Sequence, residues 1–311
     1  MEQRTRTSAP SMPDAISKWS GTQPSLLSNF VPHGWVRSHG DLMINALVIT
    51  TTGINCDLEL AEAFRLAGAV PTSIHLNELL EHPERIDEFD LIGLPGGFSY
   101  GDAVAAGRIA AQLMRSGLYG ALRRAVDRGV PMIAPCNGFQ VAVQVGLLPD
   151  PAACAEPPVP SVALVDNTSA RFIDRWVRFN VPSNTVCVWT SKLRLNTDSA
   201  IIPIAHGEGR FVPSSQAHLE QLASDGCIAM RYEPEDNPNG SAGDVAGICD
   251  PSGLVFGLMP HPERYTRWTQ HPSWTRLDES ATAGDPPGLQ MFRNAVAWVR
   301  ARQEATCSNT A

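Results

Sequence analysis

Two patterns of apolar and polar positions divide the chain. In the first, the apolar run NALVITTTG ends in small turn residues and is followed by NCDLELAEAFRLAGA, where Leu58, Ala61, Phe64 and Leu66 to Ala67 recur at helical spacing. The alternation continues. AVPTSIHL reads as a strand, DLIGLPGG as a strand ending in glycines, AAGRIAAQLMRSGLYGALRRAVDRG as a helix, and VPMIAPC as a strand feeding a further helix. Alternating units of this kind predict an α/β fold whose mostly parallel sheet carries helices on both faces.

After GLLPD the texture changes. Pro and Ala crowd 149–160, and shorter β-rich segments follow: VALVDN, RWVRFNV, NTVCVWT, IIPIAHG, GCIAMRY, VAGICD and GLVFGLMPH. One short helix is expected near SSQAHLEQLASDG, and the amphipathic PGLQMFRNAVAWVRARQ closes the chain. These strands are expected to extend the first sheet and cover its end, giving a single domain over 43–304 with a tail at 305–311. Residues 1–42 are rich in Ser, Pro and polar residues with no sustained period, and read as a flexible extension. The polar, turn-rich 270–288 reads as a surface insertion. No internal repeat is visible.

Composition narrows the function classes. The chain has 311 residues, 43% hydrophobic and 18% charged, and no apolar run approaches the roughly 18 residues that a membrane span needs. The N-terminal stretch lacks both a signal-peptide core and an Arg-rich amphipathic pattern, which predicts a cytoplasmic protein. A net charge of −8 without a long Lys/Arg cluster argues against a nucleic-acid partner. Seven widely spaced cysteines with no C-x-x-C pair suggest neither a disulfide framework nor a Cys-rich zinc site.

The candidate chemistry lies where strands meet helices. In a doubly wound sheet ligands gather there, because helix N-termini present unpaired N–H groups and partial positive charge. Cys136, in PMIAPCNGFQ, sits at such a junction, where a tight turn would expose a thiol of lowered pKa. Gly138 after it and Ala134 before it suit a tight strand–turn–helix, although a buried core cysteine is the competing reading. A thiolate nucleophile needs a proton shuttle and an orienting acceptor. His261 and Glu263, separated by Pro262 after an apolar strand, offer both; His206 in AHGEGRF is the alternative base. Acyl chemistry further needs convergent backbone donors. Gly96-Gly97, at the end of a strand, lets the backbone approach a ligand closely or simply makes a tight turn, and the N–H of Asn137 is a natural second donor. A metal site built from Cys136, His206 and His261 lacks the spacing of a helical metal motif, and no metal is expected.

Seven segments now stand in one order: GxNCDxE (53–59), PGGFSYGD (95–102), CNGFQ (136–140), NxSxRFxxRWV (167–177), AHGEGRF (205–211), NPNGS (237–241) and MPHPERY (259–265). In this order and register the chain resembles the glutamine amidotransferase subunits of phosphoribosylformylglycinamidine synthases. The resemblance implies a class I, flavodoxin-like glutaminase fold with Cys136 as nucleophile, His261 as general base and acid, and Glu263 as its orienter. It carries over Gly97 and Asn137 as backbone oxyanion donors, and Gly96, Phe98, Gln140, His206 and Gly207 as lining of the glutamine pocket. It also implies partners: L-glutamine, a separate ATP-dependent synthase subunit that takes the ammonia, and a small third subunit. ATP and magnesium would belong to the synthase subunit, with no cofactor in this chain, which shows no P-loop.

The sequence departs from the family pattern in three places. Ala134-Pro135 stands where Gly-Ile or Gly-Val usually precedes the nucleophile, AVAAG replaces the usual Leu-Arg after GFSYGD, and the 1–42 and 270–288 segments are additions. Pro135 removes an N–H and fixes φ at the turn, which tests the elbow geometry. Two alternatives stay open: a catalytically silent scaffold subunit of the same complex, and a glutaminase serving another synthetase. Arg171, Arg175 and Trp176 fit a pocket or partner surface and equally a strand with one buried face.

Overall fold

The fold is built around a nine-stranded sheet, seen here in a computed structural model that describes residues 43–150, 156–196 and 199–309. The expected extension at 1–42 lies outside the described residues, which belong to one compact unit spanning Leu42–Ala311. In chain order the first half runs β1 (Asn45–Thr50), α1 (Asp57–Ala67), β2 (Val70–His75), α2 (Leu76–Glu81), β3 (Leu91–Gly93), α3 (Arg108–Gly117), α4 (Tyr119–Asp127), β4 (Met132–Pro135) and α5 (Asn137–Val145). The second half runs β5 (Val162–Val165), β6 (Ile173–Asn180), β7 (Ile201–His206), β8 (Arg210–Pro213), α6 (Gln216–Ser224), β9 (Ile228–Tyr232), β10 (Val245–Cys249), β11 (Val255–Leu258) and α7 (Pro287–Asn309).

The strand order is β2-β1-β3-β4-β11-β10-β9-β6-β7. Pairs from β2 through β11 are parallel and those from β11 to β7 antiparallel. Alternation along the strands puts helices on both faces. Gly93, paired with Ile133, leaves room for Leu60 and Phe64 of α1, since a Cβ there would lie 2.7 Å from Leu60. Gly257, paired with Ala134 one residue on, makes room on the opposite face for Phe139 of α5, 2.2 Å from an added Cβ. The five cysteines at 56, 136, 187, 227 and 249 are buried and free, and no helix among the described residues is long and apolar enough to cross a membrane.

Four expectations are corrected. The long helix expected after residue 104 is two: α3 ends at Gly117, where a Cβ would lie 2.3 Å from Leu80, and α4 starts after Leu118 turns with φ −120°. NTVCVWT forms no strand. Its N–H groups at Val186 and Val188 bond loop carbonyls of Gly226 and Gly253, and its apolar run reflects burial of Cys187, Val188 and Trp189 rather than a ladder. VALVDN supplies β5, which pairs with β8 in a separate two-stranded sheet instead of extending the main one. The closing helix α7 continues past 304 to Asn309. Residues 268–276 form two 3₁₀ turns, mostly exposed, anchored by the buried His271 against Tyr265 with ring centres 6.0 Å apart.

The face covered by α1 and α7 is cemented by three aromatic rings. Phe64 meets Phe292 edge-on at 5.3 Å and Trp189 at 6.5 Å, while Trp189 donates from Nε1 to the Leu254 carbonyl at 2.9 Å. Phe64 is fully buried, so Phe64→Ala is expected to remove about 3–5 kcal/mol of stability. Urea unfolding of the full chain checks this; a loss below about 1 kcal/mol would show that the triad is not a structural anchor.

Candidate active site

The turn after β4 puts Cys136 in a conformation that few non-glycine residues adopt, φ 50° and ψ −109°. Two contacts force it. The Cys136 N–H donates to the Leu258 carbonyl on β11 at 2.7 Å, and its own carbonyl accepts from the N–H groups of Phe139 and Gln140, so the chain must reverse within one residue. Gly138 makes that reversal possible, because a Cβ there would lie 1.9 Å from the Leu94 carbonyl oxygen. Pro135 does not disturb the turn. Peptide nitrogens alternate between neighbouring strands, and with Cys136 bonded on the β11 side the nitrogen of Pro135 faces β3, which has ended at Gly93. The sulfur therefore sits at the N-terminus of α5, where the helix field favours negative charge.

His261 arrives from the end of β11, held by its N–H on the Pro203 carbonyl at 2.9 Å. Pro262 opens a 3₁₀ turn that folds Glu263 back onto the ring, giving Nδ1···Oε1 2.6 Å with both side chains buried. The Nδ1–H donates to the carboxylate, leaving Nε2 on the far side of the ring, buried without a hydrogen-bond partner. Burial opposes charge on this ring, but the Glu263 carboxylate and then Cys136 outweigh it and hold the His261 pKa well above the ordinary imidazole value.

Gly96 is the spacer that lets these groups meet: a Cβ on it would lie 2.9 Å from Cε1 of His261, 3.3 Å from Sγ of Cys56 and 3.4 Å from Cβ of Cys136. Gly97, at φ 138°, lies against the 54–55 backbone, 2.7 Å from the Asn55 nitrogen for an added Cβ. A cavity of about 300 Å³ opens over them, and Cys136, His261, Gly97, Phe98, Gln140, His206 and Gly207 line it. Glu263 stands behind His261, and the Asn137 side chain is buried beneath the floor, bonded to Gln140 at 2.9 Å. The structure thus brings every candidate residue to one place.

His206 is the poorer candidate for base. Its Nδ1 contacts the neutral Asn167 amide oxygen at 3.1 Å, and burial, with the nearby charge of His261, lowers its pKa to about 4. The metal set weighed from sequence is not the one that the fold assembles. Among the described residues the candidate ligand group is Cys56, His261 and Glu263, with ligand atoms within 4.8 Å of one another. Two of its members are already bonded to each other, and Arg264 donates to Cys56 Sγ at 3.1 Å. Burial raises the Cys56 thiol pKa despite its contact with His261.

Sequence reasoning missed Asn55, Asp102, Phe172, Asp174, Glu208 and Arg264, all lining the cavity. Each stood inside a quoted motif, but a motif does not say which of its side chains turns inward. Phe172 and Phe98, both half-exposed, face each other at 6.3 Å across the mouth.

The family model for CobB/CobQ-like glutamine amidotransferase domains matches residues 43–299. A subunit named phosphoribosylformylglycinamidine synthase subunit PurQ from Dehalococcoides mccartyi is 39% identical over 266 residues, covering 83% of this chain and 98% of the relative. The chain belongs to the PurQ family of glutamine amidotransferases. Its PurQ relative from Treponema denticola is 38% identical over 70% of this chain and 87% of the relative. Among solved structures, a chain of PurLQS from Thermotoga maritima matches with TM-score 0.59 and 30% identity, over 83% of this chain and all of that one. The expected α/β amidotransferase fold is therefore the observed one.

Glu263 is the largest influence raising the His261 pKa, so Glu263→Gln is expected to make that imidazole titrate at lower pH, burial then prevailing. Histidine Cε1–H NMR signals followed with pH, and assigned through His261→Asn, read the shift directly; an unchanged or raised midpoint would remove Glu263 from this role.

Proposed function

We propose that this PurQ-family chain is the glutaminase subunit of phosphoribosylformylglycinamidine synthase, hydrolysing L-glutamine to glutamate and ammonia for purine biosynthesis. The observation that carries the reading is the buried His261–Glu263 pair at 2.6 Å, set over the same cavity as a cysteine strained into a strand-to-helix turn. Retention of all three side chains in that geometry weighs against the silent-scaffold reading.

In this mechanism Cys136 Sγ attacks the side-chain amide carbon of glutamine, and its proton passes to Nε2 of His261, the ring nitrogen left free by Glu263. The oxygen of the tetrahedral intermediate takes hydrogen bonds from the backbone N–H groups of Gly97 and Asn137. His261 returns the proton to the leaving nitrogen, and ammonia departs. Water, deprotonated by His261, then attacks the thioester and frees glutamate. Glu263 holds the ring in one tautomer and stabilises the imidazolium formed on the way. Gly96, Phe98, Gln140, His206 and Gly207 shape the pocket around the substrate.

The ammonia passes to an ATP-dependent synthase subunit, with a small third subunit completing the complex. ATP and magnesium reside on the synthase, this chain carries no cofactor, and the reaction takes place in the cytoplasm. Glutamate release by the wild-type chain and by Cys136→Ala, each with and without the synthase subunit, ATP and formylglycinamide ribonucleotide, tests the proposal. Release that is stimulated by the partner and falls by on the order of 10³-fold or more in the variant is expected. Equal release by both proteins, with a synthase shown to use free ammonia, would replace the reading with that of a scaffold.

A further inference from the structure

The loop after Gly97 is held in an improbable shape. Tyr100, Gly101 and Asp102 follow one another at φ 54°, 68° and 49°, and two of the three are not glycine. Such a run persists only where its surroundings over-determine it. One wall is the 52–53 backbone: Phe98 N–H donates to the Gly53 carbonyl at 3.0 Å and Tyr100 N–H to that of Thr52 at 2.7 Å.

The other wall is one side chain. Asn137, the residue after the nucleophile, is 1% exposed. Its Oδ1 accepts from the Ser99 N–H at 3.3 Å, and its Nδ2 donates to Oδ1 of Asp102 at 3.3 Å and to Oε1 of Gln140 at 2.9 Å. Both amide hydrogens and the oxygen are thereby engaged. The web extends in two directions. Asp102 also accepts from the Gly107 N–H at 3.2 Å, and Gln140 donates to the Glu208 carbonyl at 2.6 Å, while Glu208 Oε2 takes the Ala106 N–H at 3.3 Å.

We propose that the Asn137 side chain is a positioning residue that locks the strained 98–107 loop, and with it the Gly97 backbone, to the first turn of the nucleophile helix. This is separate from the backbone N–H of the same residue and rests on the glutaminase reading. One residue then fixes both halves of the oxyanion site relative to each other: its own N–H through the helix, and that of Gly97 through Ser99. An amide is required here because the position must give a hydrogen to a carboxylate on one side and take one from a backbone N–H on the other. An aspartate would fit the volume but would face the Asp102 carboxylate at hydrogen-bond distance, at a half-buried contact where two adjacent carboxylates resist being ionised together. Other titratable groups around this cavity are Cys136, Glu208, Asp174, His206, His261 and Arg264; none of their side chains bonds the Asn137 side chain directly.

The test is a charge swap, read as glutamate release by the full chain in complex with its synthase. Asn137→Asp is expected to lower kcat on the order of 10–100-fold near pH 8, the range for a site displaced by a fraction of an ångström. Activity should partly recover as the pH falls and one carboxyl regains its proton. The double variant Asn137→Asp with Asp102→Asn no longer sets two carboxylates against each other, and its kcat should lose that recovery at low pH. Wild-type kcat in the single variant, or the same recovery at low pH in the double one, would overturn the proposal. If the single variant does not fold, Asn137→Ser, too short to bridge Ser99 and Asp102, decides in its place, with a similar fall in kcat expected and wild-type kcat overturning the proposal. Failure of the glutaminase reading would show differently, as wild-type release that does not depend on Cys136.

Discussion

The site depends on one pairing, the parallel ladder between β4 and β11. Leu258 sits opposite Pro135, and the Cys136 N–H closes onto the Leu258 carbonyl at 2.7 Å. Because parallel strands end at the same edge, the segments leaving β4 and β11 emerge together. The first of these begins with Cys136, and the second carries the His261–Glu263 turn. A slip of one residue in this ladder would move Phe256 and Gly257 to opposite faces. Phe139 would then lose the gap that Gly257 leaves for it, and α5 could not seat. The glycine under the helix and the thiol at its start are thus consequences of one register.

Around this ladder, strain is offset by burial. Cys136, Tyr100 and Asp102 all hold positive φ without being glycine, each at a cost on the order of 1–3 kcal/mol. The strands beneath supply what holds them: β4 and β11 are buried along their whole length. The glycines mark where two chains must come closer than a side chain allows. Gly53 against the Phe98 carbonyl, at 2.1 Å for an added Cβ, is the counterpart of Gly138 against Leu94 at 1.9 Å. One lets the 97–102 loop reach the β1–α1 turn and the other lets the elbow reach the end of β3.

Much of this was legible in the residues. The strand–Cys–helix junction at 131–146 and the His-Pro-Glu step at 261–263 carry their local geometry with them, since Gly138 and Pro262 are residues whose backbone constraints are known in advance. Partnership was not legible. Periodicity says that VALVDN is a strand, but not that it leaves the main sheet to pair with β8. Nor does it say that β11, late in the chain, inserts beside β4. NTVCVWT misled because an apolar run buried at Cys187, Val188 and Trp189 reads as a core strand, while its N–H groups at Val186 and Val188 are satisfied by loops. The helix ends at Gly117, a poor helix former packed against Leu80 of α2.

The two histidines of the cavity show why partners outrank residue type. Both are buried, and desolvation alone would keep both neutral. His261 meets a carboxylate and becomes the stronger base. His206 meets only the Asn167 amide, and the field of His261 lowers it further, to about 4. Burial is the larger cause of the second shift, and a proton on His261 adds to it by making a proton on His206 harder to place. Two imidazoles lining one pocket are therefore unequal. The carboxylate beside His261 makes that ring the one that holds a proton, and His206 remains a neutral wall.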